Sequence, residues 1–325
     1  MKICFTTNQI DVRGTCVAMY DYADYAERLL GHNVIIASQK GVDELAVDKF
    51  MARFGCIYYY NSQSELENIL ESLRCDMVYC IKYGRRMDSV NVTSMPMVVH
   101  CVFDMSEPHG VIYAGVSKSL ACKYGYELYV PHMISLIPSI TRENMREALK
   151  IPMDATVFGR YGGVDTFNLE FTEHVISRLL TERNDMFFVF LNTPMFYIHP
   201  HIFYFDKIVS DREKNMFIHT CDAMIVPERL GHTFGLACGE FSVNKKPCIV
   251  YNGDELWNRA HIENLGSDGI YFKTSDELYD VLNNFVRTKD YSFIKAYSEF
   301  TPFKVMSIFD RVFLEGVKGV FTDNK

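Results

Sequence analysis

No apolar run in this 325-residue chain reaches the roughly 18 residues that a membrane helix needs. Its start, Lys2-Ile3-Cys4-Phe5, reads as a strand and not as the apolar core of a signal peptide. A spanning helix and secretion are therefore not expected, and the expected location is cytoplasmic. A basic excess is also missing. Lys and Arg number 33 against 41 Asp and Glu, for a formal net charge of −8. Residues 1–150 carry 15 basic and 17 acidic side chains, and the remainder carries 18 and 24. A duplex-binding protein needs a concentrated patch that neutralises phosphates, so nucleic acid is not an expected partner.

The ten cysteines form no CxxC pair and lie mostly in apolar runs such as Met77-Val78-Tyr79-Cys80, as expected of reduced core thiols. His199 and His201 flank Pro200, but no carboxylate or Cys stands at finger-like spacing from them, so no metal is expected. GxGxxG, GxxxxGK(S/T) and GxSxG are all absent, which argues against NAD enzymes, P-loop NTPases and α/β-hydrolases. There is no internal repeat and no low-complexity segment.

What is present is ordinary globular composition, 48% hydrophobic and 23% charged, over a length that suits two domains. Short apolar runs alternate with helix-like stretches, the pattern of βα units on parallel sheets. In the first half, strands are predicted at 2–5, 33–37, 56–60, 76–80, 97–103, 111–116 and 127–130. In the second half they fall at 156–159, 186–191, 204–209, 223–226, 247–250 and 269–272. The first helix is expected over 15–30, capped by Thr15 and ended by Gly31. A connection at 131–152 holds a polar helix around 142–149. The tail has amphipathic spacing at Phe303, Val305, Ile308, Val312 and Phe313. The domains are expected at 1–135 and 155–325, with 136–154 as linker and a C-terminal helix able to pack back on the first domain.

The segment 222–253 reads strand, loop, helix, turn, strand, and its centre is Pro227-Glu228-Arg229-Leu230-Gly231-His232-Thr233-Phe234-Gly235-Leu236. A helix starting near Phe234 would aim the N–H groups of Gly235 and Leu236 at the carboxyl edge of the sheet, where phosphate binds. Glu240, inside that helix, can accept hydrogen bonds from a ribose diol. An ordinary crossover with a solvated Glu fits the residues equally well.

This segment resembles the donor signature of the family 4 retaining glycosyltransferases of the GT-B fold. That signature reads Pro-Ser-x-x-Glu-Gly-Phe-Gly-Leu-x-x-x-Glu-Ala, followed by Lys-Pro-Val. Phe234, Gly235, Leu236, Glu240, Lys246 and Pro247 match, as does Pro227 with one residue more before Phe234. The second carboxylate of the family's E-x7-E pair falls on Glu240, which the resemblance places on the nucleotide ribose. The first falls on His232, which is then placed at the donor sugar. Val157-Phe-Gly-Arg160 resembles the family's strand ending in Gly-Arg, so Arg160 takes the role of phosphate clamp, with Gly162 and Gly163 letting backbone approach. Asp165 stands where the family has lysine. Gly14 holds the place of a glycine loop, and His100 that of a histidine facing the donor sugar.

The resemblance implies two Rossmann-like domains facing each other across a cleft, and a nucleoside-diphosphate sugar donor of UDP or GDP type. The acceptor would be a glycan, glycoprotein or lipid-linked hydroxyl. Transfer would proceed with retention of configuration and with neither metal nor cofactor. On this reading His100, His232 and Arg160 are catalytic, and Gly14, Arg160, Gly163, Thr233, Phe234, Gly235, Leu236 and Glu240 bind the nucleotide. Because His232 and Asp165 depart from the signature, the alternatives are an inactive sugar-nucleotide-binding protein and an epimerase or phosphorylase of the same fold.

Overall fold

Runs buried on both faces of a sheet are apolar without alternation, and that is how the central strands here read. All six residues of β4 (Met77–Lys82) are buried, and so are all six of Met186–Leu191. The structure, a computed structural model, describes residues 1–287 and 291–322. The chain divides into two units, Met1–Ser135 with Phe300–Lys325, and Leu136–Glu299. Residues 136–154 thus count with the second unit and the tail with the first.

The first unit contains β1 (Lys2–Ile10), β2 (Asn33–Gly41), β3 (Tyr58–Tyr59), β4, β5 (Met97–Cys101) and β6 (Ile112–Gly115), all parallel, in the order β3-β2-β1-β4-β5-β6. The second contains β7 (Thr156–Arg160), β8 (Met186–Leu191), β9 (Ile202–Phe205), β10 (Ala223–Val226), β11 (Cys248–Tyr251) and β12 (Ile270–Phe272), in the order β12-β11-β10-β7-β8-β9. Both sheets are wound as 3-2-1-4-5-6, the Rossmann order. The strand order reverses between β1 and β4 and between β7 and β10, and ligands of such sheets bind beyond the carboxyl ends there.

Several expectations need correction. β1 continues to Ile10, paired through Ile10 with Gly41, so only 11–13 remain as loop before the helix Gly14–Arg28. That helix is preceded by Arg13, whose side chain makes no cap, and Thr15 lies inside it. Gly31 does take the left-handed conformation past its end, at φ 69°. Segment 127–130 contributes only a bridge between Gly115 and Tyr129, and β9 begins at Ile202 instead of Tyr204.

The polar helix expected at 142–149 is a series of turns, with Arg142 and Lys150 both left-handed. Most of its side chains are exposed, and Arg146 is the exception. Arg146 is buried and donates to Thr220 O, Ala155 O and Asp222 Oδ2 at 3.1, 2.9 and 2.8 Å.

The tail forms the helix Pro302–Phe309, a π-helical turn Asp310–Glu315 and the helix Gly316–Thr322. Val305, Met306, Phe309, Phe313 and Leu314 enter the first unit's core, and Phe303 is exposed. Phe309 lies 5.4 Å from the Tyr22 ring and 5.3 Å from that of Tyr79. Among the described residues no helix is long and apolar enough to cross a membrane.

Candidate functional site

At the carboxyl end of β10 the chain turns through Pro227 and enters the helix Leu236–Val243. The helix begins at Leu236 because Gly235 is left-handed, at φ 88° and ψ 61°. A Cβ there would lie 2.8 Å from both His261 Cβ and Tyr297 Oη, so both torsion and space require glycine. Phe234 is buried, and its carbonyl accepts from Tyr297 Oη at 2.8 Å. Leu230 O accepts from the backbone of Trp257 and Asn258 at 3.0 and 2.9 Å. Thr233 is buried in this clamped loop. The N-terminus of Leu236–Val243 is thereby fixed beside the end of β10, with its first-turn amides directed out of the helix start.

His232 is partly buried, and its backbone N–H donates to His261 Nδ1 at 3.2 Å with the two rings edge to face at 5.0 Å. Burial, helped by the positive charge of Arg160, pushes its pKa down to about 4, so the imidazole is neutral at pH 7. His261 is fully buried. Since its Nδ1 accepts, its proton sits on Nε2, which is buried with no partner among the described residues.

Glu228 is the other half-satisfied group. Its Oε1 accepts from Asn168 Nδ2 at 3.2 Å and from Leu230 N at 3.4 Å, and its Oε2 is buried without a partner among the described residues. Burial raises its pKa, against the pull of these hydrogen bonds and of Arg160. Neither Glu228 nor His261 was legible as a site residue. Glu228 stands directly after Pro227, where the signature has serine, and His261 lies in no motif at all.

Arg160, at the end of β7, has a different task from the one the resemblance implies. It is 2% exposed, and Nη1 donates to Asn192 O and Thr193 Oγ1 at 3.0 and 2.6 Å. Nη2 donates to Gly163 O at 2.6 Å and Thr166 Oγ1 at 2.5 Å. Burial lowers its pKa to about 10. The guanidinium braces the loops after β7 and β8 and does not present a free fork to a diphosphate. Gly163 contributes the carbonyl that Arg160 holds, and Asp165 is exposed.

Glu240 is buried, with Oε1 accepting from Lys214 Nζ at 2.7 Å and Oε2 accepting from the Tyr161 hydroxyl. Each carboxylate oxygen keeps a lone pair beyond these contacts. Lys246, the lysine of the matched Lys-Pro, donates to Cys221 O at 2.6 Å and so secures the start of β10.

In the first unit, His100 is not at a ligand-facing position. It is fully buried on β5, with Nδ1 2.6 Å from Tyr79 Oη and Nε2 2.8 Å from Val130 O, and burial pushes its pKa down to about 3. Both ring nitrogens are satisfied within the core, which removes His100 from the catalytic set. Gly14 is the exposed first residue of its helix, next to Arg13, which pairs with Asp11 at 3.8 Å. Among the described residues no group of three or more His, Cys, Asp or Glu side chains is placed to hold a metal ion.

The chain matches no family model and no curated protein. Solved structures do match along its length. HepE of Anabaena, solved in complex with UDP-glucose, aligns at a TM-score of 0.68 and 11% identity, covering 99% of each chain. A glycosyltransferase from Rickettsia africae aligns at 0.68 and 14%, covering 98% of each. UDP-GlcNAc 2-epimerase from Neisseria meningitidis, bound to UDP-GlcNAc, aligns at 0.62 and 10%, covering 97% of this chain and all of that one. The fold of this chain is therefore the pair of Rossmann-like domains found in GT-B glycosyltransferases and in sugar-nucleotide epimerases of the same build.

Proposed function

We propose that this protein is a glycosyltransferase that moves a sugar from a nucleoside-diphosphate sugar to an acceptor hydroxyl, with retention of configuration and without a metal. The observation that carries this reading is the Gly235-capped helix start beside β10, in a fold shared with proteins solved holding UDP and UDP-sugars. The first-turn amides of Leu236–Val243 receive the diphosphate and stabilise the charge that grows on it as the glycosidic bond breaks. Glu240 takes a ribose hydroxyl on a remaining lone pair, and Lys214 and Tyr161 hold its carboxylate in place. His232, His261 and Glu228 face the donor sugar with one neutral imidazole, one unused donor and one unused acceptor. Arg160 acts as a positioning residue through the loops it braces. The leaving phosphate takes the acceptor's proton on the face it departs from, so attack from that face retains configuration.

Thermal-shift titration against UDP, GDP, ADP and their sugars tests the reading. A ligand at about 100 times its Kd adds roughly 2.7 kcal/mol to the folded state. Glu240→Gln should weaken nucleoside-diphosphate binding at least about tenfold, the loss of a charge-assisted hydrogen bond worth about 1.5–3 kcal/mol. Unchanged affinity in calorimetry would take Glu240 out of the site. His232→Ala should lower turnover of the intact sugar nucleotide far more than it weakens binding of the bare nucleoside diphosphate. Equal effects on both would mean that His232 does not read the sugar.

Epimerisation is the second reading, favoured by the match to the 2-epimerase. Product analysis decides between them: a new glycoside supports transfer, and interconverted sugars with no glycoside support epimerisation.

A further inference from the structure

The chain's single tryptophan, Trp257, stands in the loop after β11, at the carboxyl edge of the second sheet, and is 42% exposed. An apolar side chain alone on a surface needs no explanation, but this one is carried by a rigid joint. The backbone N–H groups of Trp257 and Asn258 both donate to Leu230 O, in the loop after β10. Arg229 and Glu255 pair across the same two loops at 3.4 Å. Gly231, left-handed at φ 73°, lets them close, since a Cβ there would lie 2.0 Å from Asn258 O and 2.9 Å from Leu256 Cδ2. Leu256 packs on the second unit's core and Asn258 is buried, so Trp257 between them is turned out. Leu230, on the facing loop, is 56% exposed.

Leaving an indole and an isobutyl group in water forgoes the free energy of burying them, and here hydrogen bonds and an ion pair fix their backbone in that state. Groups fixed in this way lose little freedom when a ligand covers them. Position on the sheet says which part of a sugar nucleotide covers this pair. The diphosphate site is the helix start after β10, and Glu240, proposed for the ribose, is held from Tyr161, directly after β7. In the order β12-β11-β10-β7-β8-β9, Tyr161 lies on one side of β10 and Trp257 on the other. A nucleoside on Glu240 therefore runs toward β7, and the sugar at the other end of the diphosphate runs toward β11. A pyranose also has the matching chemistry: its C–H face suits an aromatic ring, and its hydroxyls suit the neutral His232 two residues from Leu230.

We propose that Trp257, with Leu230 beside it, is the platform on which the donor's pyranose lies by its C–H face, which makes Trp257 a specificity-determining residue of the donor site. The inference rests on the sugar-nucleotide site of the reading above. With one tryptophan in the chain, emission excited where tyrosine does not absorb reports on this ring alone. The test titrates the full chain with UDP and GDP, then with UDP-glucose, UDP-N-acetylglucosamine and GDP-mannose, following emission and, in parallel, the heat of binding.

At least one sugar nucleotide should shift the emission to the blue, and its bare nucleoside diphosphate should not. Trp257→Ala should weaken that sugar nucleotide at least about tenfold in calorimetry, while the bare diphosphate stays within about twofold. Trp257→Phe, which keeps a ring, should stay within about threefold of the parent for both. The platform is overturned, and the transferase reading stands, if the bare diphosphate shifts the emission equally, if a bound sugar nucleotide leaves it unmoved, or if Trp257→Ala binds both ligands like the parent. Equal loss of both ligands in Trp257→Ala gives the ring a structural role only and overturns the platform as well. If neither nucleoside diphosphate nor sugar nucleotide binds the parent, the transferase reading falls and the platform with it.

Discussion

Lowering the pH from 7 to 5 should cost each unit at least about 2 kcal/mol of stability, a sizeable share of the roughly 5–15 kcal/mol that a domain has. The cause is a set of histidines that are buried in their neutral form. In the first unit burial holds His100 at about 3 and His132 well below its usual range. In the second it holds His232 at about 4 and His261 well below the usual value. An unfolded histidine titrates near 6.5, so between that pH and the depressed folded value the unfolded state binds the extra proton. This contribution is therefore complete above about pH 6.5 and falls as the pH drops toward 4 and 3, by about 2 kcal/mol at pH 5 for His100 and for His232, with His132 and His261 acting in the same direction.

Urea unfolding followed by circular dichroism at pH 7, 6 and 5 measures the slope. His100→Gln should flatten it in the first unit by about one proton's worth. A midpoint that does not move between pH 7 and 5 would mean that these rings are protonated in the folded state, contrary to their burial.

Arg160→Lys should lower the melting temperature of the second unit by about 6–12 °C, from a loss of about 3 kcal/mol and about 2–4 °C per kcal/mol for a domain of this size. Lysine keeps the charge, but a single ammonium cannot reach Gly163 O, Thr166 Oγ1, Asn192 O and Thr193 Oγ1 together, which the guanidinium fork does. Turnover should fall with stability, because the loops after β7 and β8 lose their brace. Differential scanning calorimetry with and without UDP separates the roles. A parent-like melting temperature with lost UDP affinity would return Arg160 to direct contact with the diphosphate.

The sequence by itself determined the fold class. Strands β8 and β10 are continuous apolar runs, β4 and β5 are apolar but for Lys82 and His100, and all four are buried along their whole length. The same local logic marked Gly31, since left-handed backbone there depends on the residue type itself, whereas the left-handed Gly235 moves the helix start expected near Phe234 to Leu236.

Only the tertiary structure decided which polar side chains are spent on the protein. Arg160 and His100 occupy positions that the resemblance assigns to ligand, yet Arg160 is held by Leu191, Asn192 and Thr193 as well as by the nearby Gly163 and Thr166, and His100 by Tyr79 and Val130. Arg146 read as part of a polar helix, and in the structure Thr220 and Asp222 hold it in the interior. In the other direction, Glu228 and His261 carry no local signal, and they stand out because each keeps a buried polar atom without a partner among the described residues. Hydrogen-bond satisfaction is a property of three-dimensional neighbours. A one-dimensional pattern records which groups can donate or accept, and folding decides which of them remain available to a ligand.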